Sequence, residues 1–128
     1  MCHQTVSLAA RYLEENAIPT VVMGCAKDIV EYIGIPRFLF TDFPLGNPCG
    51  RPHDTGSQAA ALELALKLLE TAFVPRTTVQ SPQRWSGDPS WKLDFSNVAR
   101  LTLEEIAKRR AEFDRGKELA REIRAQRS

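Results

Sequence analysis

A loop rich in proline and glycine, residues 42–54, separates a short apolar run from a long alanine- and leucine-rich segment. Three prolines and two glycines among its thirteen residues restrict the backbone and leave few N–H groups for strand pairing. The loop also carries carboxylate, amide, thiol and imidazole groups: Asp42, Asn47, Cys49, His53 and Asp54. Because ordered loops that follow strands hold the ligand sites of α/β proteins, we interpret the rest of the chain as a scaffold for this loop.

Short apolar segments alternate with helical patterns on both sides of the loop. This alternation is typical of parallel strands joined by right-handed crossovers. The predicted fold class is therefore α/β, a parallel sheet of short strands with flanking helices, like half of a flavodoxin-like or Rossmann-like fold. Strands are predicted at about 20–24, 36–41 and 77–80, and helices at about 5–16, 26–33 and 55–73.

We expect a single domain made of three parts. Residues 1–75 form the α/β core, and residues 76–100 form an irregular segment that carries Trp85 and Trp91. This segment is longer than an average loop, which suits either a lid or a segment that wraps a partner. Residues 101–128 form a long final helix.

The final helix begins at a capping-box sequence, Thr102 to Glu105. A narrow apolar stripe runs along it near heptad spacing, while most other positions are charged. The stripe consists of Leu103, Ile106, Phe113, Ala120 and Ile123. We expect this stripe to dock either on the body of the protein or on another chain.

Charge and composition narrow the class of partner. The 128 residues carry 17 basic and 16 acidic side chains, so the formal charge is +1. Such a balance gives no electrostatic reason to expect nucleic acid or an anionic membrane as a partner. No apolar run approaches the length of a membrane span. Three cysteines without a disulfide-scaffold spacing predict free thiols and a reducing, cytoplasmic location.

All three cysteines are predicted to lie at one edge of the sheet. Cys2 precedes the first helix, Cys25 follows the first strand, and Cys49 and His53 follow the second strand. In a parallel sheet these positions share the carboxyl edge, which favours thiol chemistry or a metal site. The short Cys-x-x-Cys pairing of zinc sites is absent, so no metal site is predicted.

Cys2, Cys49 and His53 each have more than one interpretation. Cys2, at a helix N-terminus beside His3, is either a reactive thiolate or an inert thiol at a frayed end. Cys25 is expected to pack under the loop as a small, enclosed side chain. Cys49 is a nucleophile, a resolving thiol or a structural residue. His53 either transfers protons or bonds the loop backbone.

Three runs of the sequence resemble one known family: Ile18–Val22, Pro36–Phe40 and Phe43–Pro48. They are similar to the glycine/betaine/sarcosine reductase selenoprotein B family, which includes the selenoprotein subunit of D-proline reductase. In that family a Pro-Leu-Gly-Asn/Asp-Pro loop also follows a strand and precedes a long helix. The resemblance covers about residues 2–75 and does not extend to the tryptophan-bearing segment or the last helix.

The resemblance implies reductive cleavage of a C–N bond at a redox centre of the form selenocysteine-or-cysteine-x-x-cysteine. Cys2 matches the second cysteine, and the first position would fall before Met1, so we expect an N-terminally truncated member of the family. The substrate would be a small amino acid or amine, held as an adduct on a pyruvoyl group of a partner subunit. This chain would then need no cofactor of its own and would act in an oligomer with partner reductase subunits.

We therefore predict catalytic roles for Cys2, Cys49 and His53, and substrate-binding roles for Asp42, Asn47 and His3. The alternative is a non-catalytic α/β module that joins subunits through its loop and last helix.

Overall fold

The computed structural model describes residues 2–94 and 101–127 and divides into two compact units, Met1–Asp88 and Pro89–Ser128. The first unit contains α1 (Cys2–Glu15), β1 (Val22–Gly24), α2 (Lys27–Ile33), β2 (Arg37–Phe40), α3 (Thr55–Thr71) and β3 (Thr77–Gln80). The second contains α4 (Trp91–Asp94) and α5 (Leu103–Arg127). No helix of the described residues has both the length and the apolar character needed to cross a membrane.

The three strands form one parallel sheet in the order β1, β2, β3. Val22 pairs with Phe38, and Phe38 pairs in turn with Thr78. The alternating sequence pattern therefore predicted the α/β class, the parallel pairing and the three strands correctly. The short helix α2 ends at Ile33, as predicted, and is capped by Gly34 in the left-handed conformation (φ 75°), whose N–H donates to the Val30 carbonyl.

Helices cover both faces of the sheet. On one face Val22 and Phe38 pack against Ala10 of α1 and Val30 of α2. On the other face Leu39 packs against α3, mainly against Ala65 and Leu68. The middle of β2 is therefore buried on both sides, which explains the apolar run Phe38–Phe40.

The connections between the strands have opposite handedness. The connection from β1 to β2 and the connection from β2 to β3 both lead to the next strand in the same direction across the sheet. The first passes over one face through α2, and the second passes over the other face through α3, so their handedness differs. The prediction of right-handed crossovers is therefore wrong for one of the two. The preference for right-handed connections arises from strand twist, and strands of three and four residues accumulate little of it.

Helix α3 contacts the sheet through its small side chains rather than through its leucines. Ala61 and Ala65 are buried, whereas Leu62 and Leu66 are about half exposed. Alanine lets the helix backbone approach the sheet closely, and the leucines on the outer face are left in solvent. Burial most of the way round α3, which its leucine content predicts, is therefore not observed.

In the second unit, the capping box at the start of α5 forms as predicted. The Thr102 hydroxyl accepts from the Glu105 N–H at 3.2 Å, and the Glu105 carboxylate accepts from the Thr102 N–H at 2.9 Å. The apolar stripe of α5 includes Leu103, Phe113 and Ile123, which are all exposed. Docking of the stripe on the body or on another chain remains a prediction.

We expect Leu39→Ala to lower the free energy of unfolding by about 2–5 kcal/mol, because it leaves a cavity between β2 and α3. Leu39 is 0% exposed. Leu62→Ala, the same change at an exposed position of α3, is the matched control and should cost no more than about 0.5 kcal/mol. Urea unfolding followed by circular dichroism measures both. Equal losses for the two variants would contradict the assignment of Leu39 to the core.

Candidate functional site

The loops after β1 and β2 are joined through Thr41. Its side chain is fully buried. The Thr41 N–H donates to the Gly24 carbonyl at 2.9 Å, and its hydroxyl donates to the Pro48 carbonyl at 3.3 Å. Gly24 immediately precedes Cys25, and Pro48 immediately precedes Cys49. Two of the three cysteine-bearing segments are therefore held side by side at the carboxyl edge of the sheet, as the sequence predicted.

His3 connects the third thiol to this edge. Its Nε2 accepts a hydrogen bond from the Cys25 backbone N–H at 3.0 Å, and its Nδ1 lies 3.7 Å from the Cys2 sulfur. Cys2 is exposed and is the first residue of α1. The start of α1, the end of β1 and two thiol-bearing residues are therefore linked through a single imidazole.

Gly24 makes room for this imidazole. A Cβ at position 24 would lie 3.0 Å from Cδ2 of His3 and 3.0 Å from Cε2 of Phe38, closer than side chains normally pack. The sequence pattern identified Gly24 only as the end of a strand. Its second role, clearance for His3, depends on a contact between residues far apart in the sequence.

Cys25 is half-buried beneath the Pro/Gly loop, rather than fully enclosed as expected. Burial raises the pKa of its thiol, although the backbone N–H groups of Asn47 and Phe43 donate to the sulfur and oppose the shift. The negative charges of Cys49 and Asp42 raise this pKa further. Cys25 is therefore held in its protonated form close to the loop that carries Cys49.

Asn47 has a structural role within the loop. Its backbone N–H and its side-chain amide both donate to the Pro44 carbonyl, at 3.2 and 3.1 Å. Asp42 is half-buried, two positions after the end of β2. The predicted substrate-binding roles of Asn47, Asp42 and His3 remain predictions.

The far end of the loop is fixed to the start of α3. Asp54 caps the helix by accepting from the Ser57 N–H at 2.9 Å, and Arg51 donates to the same carboxylate at 3.0 Å. The Ser57 N–H, followed by Arg51, lowers the pKa of Asp54. Asp54 is therefore the N-cap of α3, directly before the helix that the sequence predicts at about 55–73.

A segment after β3 packs on the loop from the other side. The buried Ser57 hydroxyl donates to the Gln83 side chain, whose amide donates back to the Ser57 carbonyl at 3.0 Å. The ring of Trp85 meets the buried Phe43 edge-on, with centroids 5.3 Å apart. Gln83 and Trp85, which follow β3, therefore pack on the start of α3 and on this chain's own Pro/Gly loop. Sequence reasoning missed Ser57 and Gln83, which no motif marks.

His53 and Cys49 are both exposed. His53 has a left-handed backbone (φ 58°), and its side chain makes no hydrogen bond to any described residue. His53 is therefore not hydrogen-bonded to any thiol of the described residues, and its catalytic role, like that of Cys49, remains a prediction. Within residues 2–94 and 101–127, no three His, Cys, Asp or Glu side chains are grouped to bind a metal ion.

Gly50→Ala should destabilise the protein more than Gly46→Ala. Both glycines have positive φ, 112° and 97°, so an alanine is strained at either position by about 1–3 kcal/mol. A Cβ at position 50 would also lie 2.8 Å from the Gln58 backbone nitrogen, whereas nothing lies within 4 Å at position 46. The difference between the two unfolding free energies, measured in urea, reports the close approach of the loop to α3. Equal losses would show that this approach does not contribute.

The Cys25 thiol should react only at high pH. Because burial raises its pKa above the ordinary 9.0, it holds less thiolate than an ordinary cysteine at any pH below that range. Iodoacetamide labelling, read cysteine by cysteine by mass spectrometry, should show Cys25 as the slowest of the three, and unfolding in urea should remove the difference.

The folded protein holds the proton of the Cys25 thiol more tightly than the unfolded chain, so the free energy of unfolding should fall as pH rises above 9.0. Cys25→Ala should reduce that fall.

Part of the sequence is similar to a subunit of a known enzyme. It is 31% identical over 68 residues to the D-proline reductase subunit gamma of Acetoanaerobium sticklandii. These residues make up 53% of this chain and 28% of that protein, so the chain spans under a third of its relative's length. No family model and no solved structure matches the sequence. Over about half of its length, this chain is therefore related to a subunit of an amino-acid reductase.

Proposed function

We propose that this chain is the thiol-bearing part of an amino-acid or amine reductase subunit of the selenoprotein B type, with Cys2 as its resolving thiol. The observation that carries the proposal is the linkage of Cys2, through His3, to the Cys25 backbone at the carboxyl edge of the sheet. The relationship to D-proline reductase subunit gamma supports the reaction class. The three free thiols of this chain suit a cytoplasmic, reducing compartment.

The proposed reaction reduces a C–N bond by two electrons and two protons. A selenolate or thiolate of the assembled enzyme attacks the carbon next to nitrogen, and the amine leaves with a proton. The Cys2 thiolate then attacks that selenium or sulfur atom. The carbon is released with a second proton, and a selenenyl sulfide or disulfide to Cys2 forms. An external dithiol reduces this bond and restores the thiolate.

The residues around Cys2 suit the second step. Cys2 is exposed, so a selenium or sulfur atom can reach it, and it lies at the N-terminus of α1. A carboxylate at Asp42 suits the ammonium group of an amino acid or amine, and the Asn47 amide suits a carboxylate. A pyruvoyl group on a partner subunit would activate the substrate nitrogen.

The proposal is tested on the tagged chain isolated from its native cells together with its bound subunits. With dithiothreitol as electron donor, the complex should convert D-proline, glycine, betaine or sarcosine to the product of C–N cleavage, detected by mass spectrometry. Cys2→Ser should lower this activity to background. Gln4→Ser, also an exposed position in the first turn of α1, is the matched control and should leave it unchanged.

Two results would overturn the proposal. One is a wild-type complex that cleaves none of the four substrates. The other is a Cys2→Ser complex that assembles and reacts as fast as wild type. Either result would favour the alternative, a subunit-interaction module without a catalytic thiol.

A further inference from the structure

We infer that His3 is the positioning residue of the Cys2 thiol, held in place by the Cys25 backbone so that its Nδ1–H donates to the Cys2 sulfur. This inference rests on the proposed function, in which Cys2 is the reacting thiol. It assigns to His3 the role of orienting the Cys2 thiolate.

The hydrogen bond from Cys25 fixes the tautomer of His3. A neutral imidazole has one protonated nitrogen and one acceptor nitrogen. Since Nε2 accepts from the Cys25 N–H at 3.0 Å, the proton of the neutral ring lies on Nδ1. Nδ1 is the atom 3.7 Å from the Cys2 sulfur, within the range of an N–H···S hydrogen bond. The ring therefore presents a donor to the thiolate without having to carry a positive charge.

The surroundings of His3 fix the ring as well as the tautomer. One edge of the imidazole lies against Gly24, where even a methyl group would be too close. The backbone of His3 is also anchored, because the buried Ser7 hydroxyl donates to its carbonyl at 2.7 Å. His3 is itself partly buried, whereas Cys2 is exposed. A held ring beside an accessible sulfur is the arrangement that orients a thiolate for attack.

The reaction step in which His3 positions the Cys2 thiolate is a thiol–disulfide exchange. The Cys2 thiolate attacks one sulfur of a disulfide RS–SR, the S–S bond breaks, and Cys2–S–SR and RS⁻ are formed. His3 keeps its proton throughout, and its hydrogen bond stabilises the thiolate form before the attack. The same arrangement would serve attack on a selenenyl sulfide.

The test compares His3→Gln with His3→Asn. The glutamine amide reaches the place of Nε2, so its oxygen can accept from the Cys25 N–H, but it offers no donor to Cys2. The asparagine amide reaches the place of Nδ1 and keeps that donor. The probes are iodoacetamide and an aromatic disulfide at neutral pH, with Cys49 as an internal reference and Cys25 as a reporter of an intact fold.

In His3→Gln, the Cys2 rate relative to Cys49 should fall about fivefold, the size expected when an exposed thiolate loses one hydrogen bond. In His3→Asn it should remain above the value for His3→Gln. Cys25 should stay slow in both variants, because a general loosening of the fold would speed its labelling. Gln4→Ala, beside His3 on α1, is the control and should leave all three rates unchanged.

A His3→Gln variant whose Cys2 rate equals wild type, or equal Cys2 rates in the glutamine and asparagine variants, would overturn the inference. These results are distinguishable from failure of the proposed function. If His3 does not position Cys2, Cys2→Ser should still abolish reduction by the isolated complex. If the proposed function is wrong, Cys2→Ser leaves that reduction intact whatever the His3 variants do.

Discussion

The geometry of the candidate site depends on Thr41, a fully buried threonine at the end of the central strand. Buried polar groups must find hydrogen-bond partners, and both donors of Thr41 find theirs in neighbouring segments of the site. Its N–H is bonded to the carbonyl before Cys25 and its hydroxyl to the carbonyl before Cys49. A single residue therefore sets the spacing of two cysteine-bearing segments, and these bonds cannot break without leaving unpaired groups in the interior.

The Pro/Gly loop is preorganised from both ends. At its beginning, Phe43 is buried against Trp85, and at its end Asp54 caps α3. Between them, Gly50 allows the loop to lie against the backbone of α3, and the Ser57–Gln83 pair ties the region after β3 to the same helix. Because proline and these bonds already fix the backbone, binding a substrate or a partner here would cost little further ordering.

The sequence alone predicted those structural features that depend on residues close together in the chain. Alternating apolar and helical segments predicted the parallel sheet, and the capping box at Thr102 predicted the start of α5, which the structure confirms. Placement of the cysteine-bearing loops at one edge followed from strand order alone. Contacts between distant residues left no such signal. The bond between His3 and Cys25 spans 22 positions and that between Ser57 and Gln83 spans 26, and neither has a periodic pattern or motif. The prediction for α3 was based on its leucine content and placed the leucines in the core. The small alanine side chains, which let the helix approach the sheet closely, form the buried face instead.

The contact between Gly24 and His3 has a consequence for how the sequence can change over time. Position 24 is restricted to glycine because an imidazole occupies the space where a side chain would begin, with Phe38 closing the other side. A chain that loses the imidazole at position 3 also loses part of the reason for glycine at position 24. The two positions are therefore expected to have a shared substitution history: a larger residue at 24 is tolerated only after position 3 has changed. Joint variation of these two distant positions would be the evolutionary trace of the imidazole's place beside the thiol.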